Sequence, residues 1–480
     1  MKKHLILTTA LSSIFLSGCT AVGPDYRAPD IKTHQEWFSS EASMKVVDKN
    51  EDIDTKWWEI FKDETLNEFI KEAVAHNLDI KIAEANIRTA RALRETKKAG
   101  FYPSLDLGAK AAREVMSTNN GFPVNLSLGG TKVNPRTTYS YETGFDSSWE
   151  IDLFGGTRRS VEAANARLEA TIEKRHDILL SVMAEVARNY AELRGVQLQI
   201  SNIQQNIDLE KKTVSLILER HKAGDSNKFD LARSEAQLIA TEAALPNLTA
   251  DMRSNIYRLS VLTGQEPQAL LNRLLKQSPL PILPDIVPVG LRSDILRRRP
   301  DIRQAERQLA AETADIGVAK SDLFPKFFLT GSAGLQSLSF GDLFQSTSGA
   351  LSLGPSIQWP IFKGGEISAR IKAKESSTDA AALNYEKAVL SALEDAETAL
   401  VRYGQELETR KKLEIVVTTN QDVLNLAIQR YESGETDLLD LLDAERHLIK
   451  SKNDLALSET RTVTNLISLY KALGGGWEGL

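Results

Sequence analysis

The chain has 480 residues, of which 26% are charged and 42% hydrophobic, a composition typical of folded proteins and not of disordered or polytopic membrane proteins. Its formal net charge of −6 argues against a nucleic-acid partner, because binding to phosphates requires a basic surface. Beyond the N-terminal segment there is no run of about 18 apolar residues, so the sequence predicts no transmembrane helix.

The first residues predict a secretory signal peptide. Lys2 and Lys3 precede an apolar run over residues 5–16, which is followed by Ser17, Gly18 and Cys19. Small residues before a cysteine resemble a bacterial lipobox. We therefore expect residues 1–18 to be removed and Cys19, the single cysteine of the chain, to be the lipid attachment site at the outer membrane. An ordinary signal peptide with a chance cysteine is the alternative.

Residues 19–62 show little periodicity and predict an extended tail, which Trp57, Trp58 and Phe61 would fix to the fold. Helices are expected over residues 64–76 and 78–99, with Asn77 between them as a cap for the second helix.

The apolar period then changes to two residues. Over residues 139–153, apolar and aromatic side chains alternate with polar and acidic ones, and residues 101–113 show a weaker alternation. Residues 326–337 and 349–362 repeat the pattern in the second half of the chain. Such strands resemble those of membrane barrels, apolar towards lipid and polar towards a lumen. A soluble hairpin packed on helices is the alternative.

Each second strand is followed by a glycine pair and a long helical segment, over residues 156–222 and 366–432. About 65 residues at 1.5 Å per residue would make a helix of ~100 Å, which suits a strut or a tube wall. The segments end at Gly224 and Gly434, which predict tight reversals into return helices over residues 228–263 and 436–473. Thr436 is the expected cap of the last helix, and Pro246 should kink the earlier one.

The same order of elements therefore occurs twice, and Gly224 and Gly434 lie 210 residues apart. An internal duplication follows, in a fold that is mainly α with a β-barrel portion. The expected segments are a signal peptide (1–18), a lipidated tail (19–62), a first repeat (63–276), a proline-rich linker (277–290) and a second repeat (291–480).

Four strands cannot close a barrel, and lipid does not tolerate open sheet edges, so a shared barrel is expected. Two copies would give eight strands and three copies twelve, and only the larger number leaves a clear lumen.

Five motifs resemble the outer-membrane channel family typified by TolC and OprM, in the lipoprotein branch that serves RND-type efflux pumps. They are the lipobox, LRRRPDIRQAE (296–306), FP (324–325), WPIFKGG (359–365) and GETDLLDLLDAER (434–446). The resemblance implies a homotrimer with a shared 12-stranded transmembrane β-barrel and a periplasmic helical barrel. It also implies passive export of drugs or other small toxic compounds, handed over by an inner-membrane pump through a periplasmic adaptor.

By the same resemblance, a gate would lie at the periplasmic ends of the hairpins. The candidates are Tyr431, Asp440, Asp443, Asp230, Arg430 and Arg446. Thr436 stands where some members of the family have an arginine. The alternative for the aspartates is an ordinary role at a helix N-terminus or on a solvated surface.

No enzyme motif is present: the six histidines are scattered, and the chain lacks a phosphate-binding loop or a nucleophile motif. We expect no catalytic residue, metal or cofactor. A periplasmic coiled-coil scaffold would explain the hairpins but not the strands, and a type I protein secretion duct is a second alternative.

Overall fold

The computed structural model describes residues 21–29, 34, 37–38, 47–48, 54–117, 126–128, 131–133, 137–284 and 286–478. Cys19 and the expected signal peptide lie outside these ranges. The main elements, in chain order, are α1 (Glu64–His76), α2 (Leu78–Lys98), β1 (Ser104–Val115), β2 (Thr137–Ile151), α3 (Gly156–Ala223), α4 (Lys228–Glu242), α5 (Leu245–Leu262), α6 (Pro300–Ser321), β3 (Lys326–Ser337), β4 (Gly349–Gln358), α7 (Glu366–Glu432) and α8 (Leu438–Leu473).

Shorter elements connect these. Val47–Asp48 pairs in parallel with Val287–Pro288, and Leu126–Leu128 pairs antiparallel with Thr131–Val133. Short helices span Leu271–Leu274 and Ile295–Arg298, and 3₁₀ turns span Trp57–Phe61, Ala99–Phe101, Arg292–Asp294, Phe340–Asp342 and Ser346–Ser348. Within the described ranges, no helix combines the length and the apolar character needed to cross a membrane.

The chain divides into two compact units. The first contains the described residues of Met1–Pro29, Arg88–Glu169 and Arg307–Leu383. The second contains those of Asp30–Ile87, Ala170–Glu306 and Asn384–Leu480. The division cuts across the two sequence repeats, so each unit is built from parts of both.

The first unit holds a four-stranded antiparallel sheet in the order β1-β2-β3-β4. Residues directly opposite each other in such a sheet point to the same face. Leu107 pairs with Phe145, Phe145 with Ala333, and Ala333 with Leu351, so the apolar positions of all four strands share one face. This face is open in the single chain, with Leu107 70% and Leu351 83% exposed.

The opposite face of the sheet is polar. Asp106 pairs with Asp146, which pairs with Ser332. Next to this row Gly144 pairs with Gly334, and a Cβ added to Gly144 would lie 2.6 Å from the Gly334 Cα. The two strands can approach this closely only because both residues are glycine.

Strand β4 ends earlier than the sequence predicts. The expected strand continued to residue 362, whereas β4 ends at Gln358. Trp359 and Pro360 follow, and proline has no N–H to donate to the sheet. The Trp359 indole Nε1–H instead donates to the Leu323 carbonyl at 3.1 Å.

An ion-pair network joins three helices of the first unit. Arg167 on α3 and Lys374 on α7 contact the Asp315 carboxylate on α6 at 2.8 and 2.7 Å. Burial raises the pKa of Asp315, but the hydrogen bonds and charges of Arg167 and Lys374 outweigh it and hold the pKa below its ordinary value. The network therefore stabilises the ionised carboxylate between the helices.

The second unit is built around an aromatic and aliphatic core. Trp57, Trp58 and Phe61 are at most 3% exposed, as expected for residues that fix the N-terminal tail. The Trp57 ring stacks on Tyr470 of α8 with centroids 5.5 Å apart. Asn77 accepts a hydrogen bond from the Asp79 N–H at 2.9 Å and so caps α2.

The two long helices have almost the same length, 68 residues in α3 and 67 in α7. At 1.5 Å per residue, each is ~100 Å long. The helix expected over residues 228–263 is interrupted, because α4 ends at Glu242 and α5 begins at Leu245. Pro246 lies in the first turn of α5, where its missing N–H costs no hydrogen bond.

Candidate functional site at the helix reversals

The two reversals have the same backbone geometry. Gly224 and Gly434 adopt φ values of +87° and +77°. In the first reversal, the Asp225 N–H donates to the Arg220 carbonyl at 2.8 Å, and in the second the Glu435 N–H donates to the Arg430 carbonyl, also at 2.8 Å. These six-to-one bonds are those of a Schellman motif, which satisfies the free carbonyls at a helix end.

The cap of α8 differs from the sequence prediction. The Asp437 side chain accepts from the Asp440 N–H at 3.2 Å, whereas the Thr436 hydroxyl oxygen is buried without a hydrogen-bond partner. The assignment of Thr436 as the cap was therefore wrong. The helix begins one residue later, where an aspartate also interacts favourably with the helix dipole. Asn227 caps α4 in the same way, accepting from the Asp230 N–H at 2.8 Å.

Tyr431 lies inside an apolar cluster and not at the surface. It is 6% exposed. The Arg220 guanidinium lies 4.5 Å from the centroid of its ring, and Arg220 Nη2 donates to the Glu432 carbonyl at 3.0 Å. Tyr431 thus links the two reversals within one chain. The buried cluster around it, called here the reversal cluster, contains Ile217, Leu424, Tyr431, Leu438, Leu441, Leu442, Ala444 and Leu448.

The charged candidates surround this cluster. Arg430, Asp440, Asp443 and Arg446 are exposed, and Asp230 is partly buried. Asp443 lies 3.7 Å from Arg446 and 3.3 Å from His447 Nε2. Arg430 lies 3.7 Å from Glu435. The structure therefore separates the candidates into one buried aromatic residue and a set of exposed charges.

Sequence reasoning missed two buried carboxyl groups near the same ends. Glu210 on α3 is 2% exposed and Glu445 on α8 is 0% exposed. A signal for Glu445 was present, because it lies four residues after Leu441 and three before Leu448, on the apolar face of α8. Within the described part of the chain, no group of three or more histidine, cysteine, aspartate or glutamate residues could hold a metal ion.

Comparison with known proteins gives three consistent results. The model of the outer membrane efflux protein family matches residues 69–265 and 291–475. The solvent efflux pump outer membrane protein SrpC of Pseudomonas putida is 30% identical over 97% of each chain. Nodulation protein T of Rhizobium leguminosarum bv. trifolii is 32% identical over 98% of this chain and 97% of its own.

Among solved structures, the outer-membrane channel OprN is similar over 95% of this chain and 99% of its own. The TM-score is 0.85 and the sequence identity 34%. The likeness in sequence and structure thus extends over nearly the whole chain, including both reversals.

Proposed function

The chain belongs to the outer membrane efflux protein family, and we propose that it works as a homotrimer, fed by a periplasmic adaptor protein and an inner-membrane pump of the RND type. The observation that carries this proposal is the sheet of the first unit. Its outer strands, β1 and β4, each pair on one side only, and its apolar face is exposed. The unpaired edges require partner strands, because lipid does not satisfy unpaired backbone groups, whereas the exposed apolar face suits contact with lipid.

Three copies would supply twelve strands, four from each chain. In that arrangement β4 of one copy would pair with β1 of the next, and every edge would be covered. The apolar faces would contact lipid, while the row containing Asp106, Asp146 and Ser332 would face the lumen.

We place the gate at the reversals. Three copies would bring the exposed Asp440 and Asp443 carboxylates into acidic rings that attract cations and can exchange ion-pair partners during opening. Arg446, which lies 3.7 Å from Asp443 in the single chain, and Arg430, which lies 3.7 Å from Glu435, would be the cationic partners in this exchange. Asp230 would add to the negative charge of the gate. Tyr431 would act differently, by holding the two reversals of one chain together through Arg220.

Lipidation of Cys19 is a further part of the proposal, supported by the packing of the residues that follow it. The Val22 N–H donates to the Phe154 carbonyl at 3.0 Å, three residues after the end of β2. Arg159 bonds the Val22 carbonyl at 3.2 Å and the Asp25 carboxylate at 2.7 Å. The chain three residues after Cys19 is therefore bound at one end of the sheet, where acyl chains would reach the same bilayer.

The names of the relatives direct the choice of substrates to test. SrpC is named as part of a solvent efflux pump. We propose that this chain conducts small toxic compounds passively, without chemistry of its own. Protein export remains the competing substrate class.

The test is deletion of the gene, followed by a survey of susceptibility to dyes, detergents, antibiotics, solvents and metal ions. We expect increased susceptibility to at least one class, restored by the intact gene but not by a gene that lacks the codons for residues 104–151, which include β1 and β2. Unchanged susceptibility to every compound, combined with loss of a secreted protein, would favour the protein-export duct instead.

A further inference from the structure

Two carboxyl groups are buried where the first hairpin meets α8. Glu445 Oε1 accepts a hydrogen bond from the Thr213 hydroxyl at 2.5 Å. Glu210 Oε1 accepts from Gln237 Nε2 at 3.2 Å and from the Thr241 hydroxyl at 3.0 Å. The Oε2 atom of each carboxyl is buried without a hydrogen-bond partner. An ionised carboxylate with an unsatisfied oxygen costs much more free energy in such surroundings than a protonated carboxyl does.

The charges around the pair do not neutralise it. Glu242 on α4 adds negative charge, although Lys211 lies 3.4 Å from it. The α7 side of the neighbouring reversal cluster is apolar, with Val417 and Leu424 packed there. Arg446 is next to Glu445 in sequence, but it is exposed and lies beside Asp443.

These surroundings favour the protonated form of Glu445. Burial, opposed by the hydrogen bond from Thr213 and assisted by the charge of Glu210, raises the pKa of Glu445 to about 6. The pKa of Glu210 is also raised, mainly by burial, against the hydrogen bonds from Thr241 and Gln237.

Glu210 contacts the end of α4, next to a break in the first hairpin. Thr241 lies in the last turn of α4, directly before the interruption at residues 243–244. Glu210 therefore holds the end of α4 against α3, and Glu445 holds α8 against α3 through Thr213. A groove lined by Thr241, Arg446 and Lys450 among others opens to solvent next to the residue that donates to Glu210, but neither glutamate lines it.

We propose that Glu210 and Glu445 form a proton-controlled latch between the two hairpins, which holds α4 and α8 against α3 while protonated and loosens when the proton is lost. This inference rests on the proposed channel function, and it predicts that loosening favours the open channel end. Because the folded chain binds the proton more tightly than an exposed carboxyl does, the stabilisation is complete below the ordinary glutamate pKa of 4.5 and is lost as pH rises through about 6.

The direct test is hydrogen exchange of the purified, full-length protein at about pH 5 and about pH 7.5, corrected for intrinsic exchange rates. In the wild type, protection of segments 206–217, 237–245 and 441–448 should fall at the higher pH. A shift in pKa from 4.5 to about 6 limits this fall to about 8-fold between these two pH values, out of about 30-fold over the whole titration. Glu445→Gln keeps the shape of the protonated side chain, so segment 441–448 should stay protected at both pH values, while Glu210 still titrates beside segment 237–245.

The matched control is Glu235→Gln, which removes an exposed carboxylate from the same helix, α4, and should retain the wild-type pH response. Equal protection of the wild type at both pH values would overturn the latch, as would a wild-type pH response in Glu445→Gln. If Glu445→Gln fails to fold, the wild-type measurement and Glu210→Gln decide by the same criterion.

A second readout is conductance in planar bilayers. Wild-type conductance should rise with a midpoint near pH 6, and Glu445→Gln and Glu210→Gln should flatten this rise. Wild-type conductance that does not change with pH would overturn the latch but leave the proposed channel function in place. Absence of conductance in the wild type at every pH would instead refute the channel function, and the exchange experiment would then decide on the latch.

Discussion

The two helical hairpins share their backbone turns but differ in side-chain packing and in the return helix. The first reversal carries His221, whose Nδ1 lies 2.8 Å from the Ser226 carbonyl, at the position where the second carries the buried Tyr431. The return helix of the first hairpin is interrupted at residues 243–244, whereas α8 is continuous over 36 residues. Duplication therefore retained the turn geometry, while packing made the second hairpin the more firmly held of the two.

The largest effect is expected from placing a proline in α8 at the position that corresponds to Pro246 of the first hairpin. Pro246 and Ala456 are 210 residues apart and correspond in the two repeats, and Ala456 is 1% exposed within α8. Ala456→Pro should cost more than about 3 kcal/mol, because proline removes a helical hydrogen bond and clashes with the preceding turn. We expect the proposed trimer to fail to assemble in detergent extracts.

Pro246→Ala is the control for that experiment. It should leave the midpoint of thermal dissociation within a few degrees of the wild-type value, because α5 begins at Leu245 and the proline breaks no hydrogen bond there. Equal damage from both substitutions would show that the first return helix is as firmly packed as α8.

The next test removes the side chains at the corresponding turn positions. Tyr431→Ala should lower the free energy of unfolding by about 3 kcal/mol, through lost burial and lost contact with Arg220. His221→Ala should cost about 1 kcal/mol or less, because it loses one partly buried hydrogen bond. The measurement is guanidinium denaturation of both purified variants, and similar midpoints would contradict the difference in packing.

The smallest effects are expected from substitutions of the turn glycines, which the two hairpins share. Gly224→Ala and Gly434→Ala should each cost about 1–2 kcal/mol, because both glycines adopt positive φ. No atom lies within 4 Å of a Cβ built at either position, so backbone conformation alone sets the cost. The two variants should therefore shift the denaturation midpoint equally. A much larger shift at one turn would mean that the two turns differ in more than their side-chain surroundings.

Features that follow a regular spacing along the chain could be predicted from the sequence. Alternation at positions such as Leu105 and Leu107 predicted the strands and their apolar face, because the side chains of a strand point alternately to its two faces. Each long helical segment ends at a glycine, Gly224 or Gly434, and these two similar turns predicted the duplicated hairpins.

Other features depend on contacts that no periodicity reveals. Thr436 and Asp437 are both good caps, and only the start of α8 at Leu438 selects Asp437. The apolar spacing of α8 marks Glu445 as an inward-facing residue, but its hydrogen-bond partner Thr213, 232 residues away, is known only from the structure. The interruption between α4 and α5 was expected only as a kink, because a proline can either bend a helix or begin a new one.

The almost equal lengths of α3 and α7 restrict how the protein can change during evolution. The two helices end at reversals that are joined by Arg220 and Tyr431, so an insertion in one helix alone would pull this contact apart. An insertion that preserves the buried faces should therefore occur in both helices together, in steps of about 7 or 11 residues. If the helices cross the periplasm as proposed, relatives from cell envelopes of different thickness should show such paired changes, and helix length would record the width of the envelope.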